Sequence, residues 1–90
     1  MKAPRLDATH REIVAALRKA GCGVQSLAAV GKGCPDLLIS YRWSWHVAEV
    51  KTATGQLRES QQDFARAHGA HVLLFRSVAD VAAWMKAGAP

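Results

Sequence analysis

Apolar positions mark out seven short elements along the chain. Ile13, Leu17 and Ala20 recur at helical spacing, with Val14 and Ala16 widening the stripe. That pattern predicts a helix over 7–20, stopped by Gly21 and Gly23, with Asp7 or Thr9 as its N-cap. Val24, Leu27 and Ala29 alternate loosely with polar residues and predict a strand over 23–29. Two apolar runs at hairpin spacing follow, 37–41 and 46–51, with Arg42-Trp43-Ser44-Trp45 as the connection or its edges. Residues 52–56 form a loop around Gly55. A second helix covers 57–68, with Leu57, Gln61, Phe64, Ala65 and His68 on one face and Gly69 at its end. The run Val72-Leu73-Leu74-Phe75 predicts a strand over 71–75 buried on both faces. Ser77-x-x-Asp80 then caps a last helix, with Val78, Val81, Ala82 and Met85 along one side.

The predicted order is α-β-β-β-α-β-α: an α/β fold with a mixed β-sheet flanked by helices. Ninety residues make one small domain, 1–90, in which residues 1–6 read as a loose basic arm. A core of that size is marginal, so self-association would help it. The net charge of +5 favours an anionic partner, with nucleic acid first. Cys22 and Cys34 have no metal-ligand spacing and read as reduced thiols, which points to a cytoplasmic compartment. The chain has no apolar run of membrane-spanning length and no signal-peptide pattern.

The chemistry concentrates between Gly31 and Lys51. Residues two apart in a strand share a face, so Glu49 and Lys51 project together above Val47. Asp36 heads the preceding strand, and antiparallel pairing brings that head beside the tail of the next. Two carboxylates with a lysine suit a hard divalent cation such as Mg²⁺, which takes one or two carboxylates, waters and substrate phosphate. The lysine can orient water or hold phosphate as a point charge. A polar strand end with a cross-strand ion pair is the plainer reading of the same residues.

Pro35-Asp36 followed by Glu49-Val50-Lys51 resembles the signature of the PD-(D/E)xK nuclease superfamily. The surrounding text is similar to one branch of it, the virus-type replication-repair nuclease (VRR-NUC) domain. The matching residues are Gly31-Lys32-Gly33-Cys34-Pro35-Asp36-Leu37-Leu38, then Glu49-Val50-Lys51, then Leu57, Gln61 and Phe64, and finally Phe75-Arg76-Ser77-Val78-Ala79-Asp80. This resemblance covers about residues 5–85. It implies a restriction-endonuclease-like fold and metal-dependent cleavage of DNA, often branched or flapped. On that pattern Asp36, Glu49, the Val50 carbonyl and Glu12 would hold Mg²⁺ or Mn²⁺. Lys51 would position or activate water, and Gln61 would steady the water or the phosphate. Cleavage would leave a 5′-phosphate, and one site per chain would require a homodimer to cut both strands.

Several residues keep more than one reading. Glu12 is either a metal-facing acid or the fourth residue of a Thr9-x-x-Glu12 capping box. The family's usual Leu-Ser-Pro-x-Gln entry to the second helix stands here as Leu57-Arg58-Glu59-Ser60-Gln61, which leaves Gln62 as an alternative to Gln61. Gly31-Lys32-Gly33 either lets backbone approach a phosphate or makes a tight connection. Trp43 and Trp45, with Arg42 between aromatics, stack on bases, pack across strands or cover a contact between copies. Lys32, Arg42, Trp43 and Arg11 are the candidate DNA contacts. Two rival functions remain: a catalytically silent nucleic-acid binder of the same fold, and a plain interaction module.

Overall fold

The structure, a computed structural model, describes residues 4–90, with side chains from residue 8 onward. Helix α1 spans Pro4–Lys19. A proline suits a first helical turn, because its missing N–H has no partner to lose there. The helix thus begins one turn earlier than its apolar stripe predicts. Asp7 and Thr9 lie inside it, so neither stands at the N-cap position. The last three residues of the expected loose arm are helical, and Met1 to Ala3 lie outside the described residues. At the other end Gly21 takes φ +98°. Its N–H donates to Arg18 O at 3.0 Å, and the N–H of buried Cys22 reaches Leu17 O at 3.0 Å. That is a Schellman stop, and it depends on the glycine.

Strands β1 (Gly23–Ser26), β2 (Leu37–Tyr41) and β3 (Ser44–Val50) form an antiparallel meander. Helix α2 (Glu59–His68) then crosses over to β4 (Val72–Phe75), which lies parallel to β3. Helix α3 (Val78–Lys86) closes the order α-β-β-β-α-β-α around a mixed sheet β1-β2-β3-β4. Several boundaries move. Strand β1 ends at Ser26, because residues 28–30 turn away after the Leu27 N–H reaches Asp36 O at 2.7 Å. The β2–β3 connection is only Arg42-Trp43, so Trp45 and His46 are strand residues. Leu57 precedes α2, and Gly69 at φ +56° ends it as expected. Strand β4 is an edge, with nothing paired beyond it among the described residues, and of its residues only Phe75 is fully buried.

The sheet has two unlike faces. Leu37, Ile39, Ala48, Val50 and Phe75 form the core face with Ile13 and Leu17 of α1 and Val81 and Trp84 of α3. Trp84 replaces the expected Val78 and Ala82 as the inward anchor of α3, while Val78 stays exposed. Its ring meets Phe75 at 5.8 Å and His46 edge-on at 5.1 Å, and its Nε1–H donates to Pro90 O at 2.9 Å. His46 is therefore a packing residue. The opposite face carries Leu38, Ser40, Trp45, Val47 and Glu49 by strict alternation. Trp45 is exposed on it and Leu38, Ser40 and Val47 are half-buried, and it carries the candidate acid Glu49.

Candidate active site

The register fixes the meeting of the two acids. Leu37 pairs with Ala48, so Asp36 stands opposite Glu49 at the open end of the β2–β3 ladder. Each carboxylate accepts from the other strand's backbone. The Asp36 N–H donates to Glu49 Oε1 at 3.2 Å, and the Val50 N–H donates to Asp36 Oδ2 at 3.0 Å. Lys51 Nζ lies 3.4 Å from Glu49 Oε2. The same oxygen receives the Gln61 Nε2–H at 2.5 Å. Gln61 Oε1 in turn accepts the Arg58 N–H at 2.8 Å, which ties the amide to the first turn of α2. Glu49 and Gln61 are only 4 % and 6 % exposed. Gln62 is exposed and donates to Leu57 O at 3.0 Å. The geometry thus selects Gln61 over Gln62 as the glutamine at the acids.

Two further devices hold these side chains. Lys51 N–H donates to Phe75 O at 3.1 Å, extending the β3–β4 ladder by one residue. The Arg76 guanidinium gathers the loop beyond it, donating to Thr52 O at 2.9 Å and also to Gly55 O. Asp80 Oδ2 anchors Arg76 through its N–H at 2.7 Å. On the other side, Gly33 at φ +80° runs against the start of α2 so closely that a Cβ there would meet Ser60 O at 2.2 Å. The 31–33 turn is a tight connection pressed on the helix that carries Gln61. Neither Arg76 nor the Gly33 contact is visible in hydrophobic periodicity. Only the Ser77-x-x-Asp80 cap hints that an anchored residue precedes α3.

The electrostatics are those of a desolvated acid pair. Burial first, then the charge of Asp36, pushes the Glu49 carboxyl above its ordinary value, and Lys51 pulls it back. Burial, then Glu49 and Asp36, also raises the Cys34 thiol. Asp36 Oδ1 accepts no hydrogen bond among the described residues. A carboxylate offers about four lone-pair sites, so Glu49 also retains acceptor capacity. This donor set fits a hard divalent cation that keeps most of its waters. Among the described residues, no group of three or more His, Cys, Asp or Glu forms an all-protein metal cage.

One consequence is testable without a substrate. An acid whose folded pKa is raised stabilises the fold below its unfolded value, near about 4.3, and that contribution is lost as pH rises through the folded value. Asp36→Asn removes the like charge yet keeps an oxygen for the Val50 N–H. In EDTA at neutral pH it should raise the melting temperature by about 2–4 °C. Where Mn²⁺ raises the melting temperature of the wild type, the substitution should abolish most of that rise. A lower melting temperature in EDTA, with the Mn²⁺ rise intact, would contradict the acid-pair account.

The remaining candidates are dispersed. Glu12 is exposed on α1, and among the described residues no hydrogen bond or ion pair joins it to Asp36 or Glu49. Arg11 is exposed on the same helix, Lys32 on the 31–33 turn at φ +56°, and Arg42 and Trp43 at the hairpin tip. Structure therefore gathers Asp36, Glu49, Lys51 and Gln61 and leaves the other five on three separate segments.

No protein-family model matches the chain, and no curated protein matches it. Solved structures do. A VRR_NUC domain superposes with a TM-score of 0.72 at 22 % identity, over 93 % of this chain and 97 % of that one. Hjc, a Holliday junction resolvase from the archaeal hyperthermophile Archaeoglobus fulgidus, superposes with a TM-score of 0.55 at 25 % identity. That match covers 78 % of this chain and spans 62 % of the resolvase. Among the described residues no helix is long and apolar enough to cross a membrane. The chain has the fold of a VRR_NUC domain, shared in outline with that junction resolvase.

Proposed function

We propose that this protein hydrolyses phosphodiester bonds in DNA, with Mg²⁺ or Mn²⁺ held by Asp36, Glu49 and the Val50 carbonyl. The observation that carries this reading is the single network of Asp36, Glu49, Lys51 and Gln61 on the sheet face opposite the core. A bound cation would supply a more acidic water and polarise a phosphoryl oxygen. The chain's own groups do the rest. Lys51 Nζ, restrained beside Glu49 and only 17 % exposed, places a positive charge where the attacking water or the phosphate must sit. Gln61 holds Glu49 in position and offers its amide to the same water. Glu12, exposed on α1 and joined to neither acid among the described residues, would act only through water. Cleavage breaks the P–O3′ bond and leaves a 5′-phosphate.

The net charge of +5 suits a polyanion. The junction resolvase among the similar structures supports a branched substrate, four-way or flapped, and one site per chain supports a homodimer that cuts two strands. The test incubates wild type and Lys51→Ala with end-labelled linear, flap and four-way DNA in Mn²⁺, Mg²⁺ and EDTA. Metal-dependent products from wild type alone support the reading. DNA retardation with no product in either metal would make the fold a silent binder. Equal products from both proteins would place the chemistry elsewhere.

A further inference from the structure

We infer that the β2–β3 hairpin tip is a stacking wedge for an unpaired base of the nucleic acid whose backbone reaches Glu49 and Lys51; the inference rests on the function proposed above.

The first observation is the backbone. A two-residue hairpin with both central residues at positive φ is the type I′ turn, which strongly favours Asn-Gly. Here those positions are Arg42 at φ 49° and Trp43 at φ 67°. A bulky side chain in the left-handed region is strained, and such strain clusters at sites that use it. The side chain gained by this strain serves no packing. Trp43 is fully exposed and Trp45 is 71 % exposed, whereas Trp84 is buried in the core. Trp43 lies in the turn and Trp45 pairs with Ser40, so the two indoles are not a cross-strand pair.

The second observation is alignment. Gly23, Ser40 and Trp45 form one cross-strand row on the face opposite the core. Two small residues beside an indole leave a recess of about 430 Å³, bounded by Tyr41, Trp43 and Trp45. Trp45, Val47 and Glu49 then run along β3 on that same face, with Lys51 following. Four residues of strand span about 13 Å, which corresponds to about four stacked nucleotides at about 3.4 Å each. The recess and the acid pair thus lie on one strand, four residues apart, with Val47 between them on the same face. Charge agrees: residues 40–48 contain Arg42 and no acid, and the guanidinium sits 5.1 Å from the Tyr41 ring centroid. An exposed indole flanked by a cation suits a base freed from its stack, as at a junction, flap or single strand.

Binding is measured by fluorescence anisotropy in EDTA, without turnover, on a fully paired duplex, a four-way junction and a single strand. Wild type is compared with Trp43→Ala, Trp43→Phe and the double variant R42N/W43G. Trp43→Ala should weaken junction and single-strand binding about tenfold and duplex binding less than about twofold. Trp43→Phe should keep most of the affinity. R42N/W43G should melt about 4 °C higher, because it relieves the turn, and still bind the junction weakly. Unchanged junction affinity in both Trp43→Ala and R42N/W43G overturns the inference. So does a dimer-to-monomer change in light scattering with junction affinity intact, which would make the tip a contact between copies. Because no cleavage is read, loss of the hydrolase reading by the Lys51 experiment leaves this result separately legible.

Discussion

Lys51→Ala should lower metal-dependent cleavage by about 10³-fold, the range seen when a positioned charge or proton-transfer group is lost. The magnitude follows from placement. Lys51 is the cation at the acid pair, 3.4 Å from Glu49 Oε2 and largely withdrawn from solvent. Its backbone is pinned to Phe75, and the loop beyond it to Arg76. A charge restrained in this way needs little reorganisation when phosphate charge develops. Removing it should cost stability as well, since truncating one member of a buried pair leaves the other uncompensated. Glu49 can take up a proton instead, so the melting temperature should fall by no more than about 10 °C. Mn²⁺ should still raise that melting temperature, because both carboxylates survive. The combination, cleavage lost and cation response kept, separates a positioning charge from a structural ion pair. Lys51→Arg should recover no more than about a tenth of the rate, since a planar fork does not replace a compact ammonium. Single-turnover assays and thermal melts in EDTA and Mn²⁺ check all of this. Full activity in Lys51→Ala would remove Lys51 from the chemistry.

The strands and their acids were legible because alternation at period two and a hairpin spacing leave little freedom. Leu37 to Tyr41 and the tail of β3 fall where the pattern places them, and the pairing of Leu37 with Ala48 delivers Asp36 to Glu49. The start of α3 was legible, since Ser77 caps it and accepts the Asp80 N–H as the spacing predicts, but the starts of α1 and α2 were not, because they depend on single terminal residues. Pro4 extends α1 past two plausible caps, and Arg58 rather than Leu57 stands at the entry to α2. The edge position of β4 was hidden too, since four apolar residues read alike whether one or both faces are covered. Trp84 escaped notice for a related reason. It lies off the Val78, Val81, Ala82, Met85 stripe, yet its ring fills the gap above Phe75 and His46. Of the site, side chains reached by strand geometry were readable. Those held by long-range contacts, Arg76 to the 52–55 carbonyls and Gly33 to Ser60, leave no periodic trace.

Gly33→Ala should be the most damaging single methyl in the chain, and Gly31→Ala is its control. Both glycines have positive φ, +80° and +72°, so alanine at either one pays the left-handed penalty of about 1 kcal/mol. Only Gly33 also meets an obstacle. A Cβ at Gly33 would lie 2.2 Å from Ser60 O and 2.6 Å from Ser60 C, both backbone atoms, whereas a Cβ at Gly31 meets nothing within 4 Å. Backbone cannot rotate aside as a side chain can, so the first turn of α2 must shift. Gln61 sits in that turn, fixed by the Arg58 N–H, and its amide touches Glu49. A shift of even half an ångström loosens that contact and leaves a buried amide or carboxylate short of a partner, a cost of about 1–3 kcal/mol. Gly31→Ala should therefore lower the melting temperature by about 4–8 °C and leave cleavage within about threefold. Gly33→Ala should lower it by about 10 °C or more and cut cleavage by about a hundredfold at temperatures where it is still folded. Equal effects of the two substitutions would mean that backbone conformation alone matters here, and that the turn does not position Gln61.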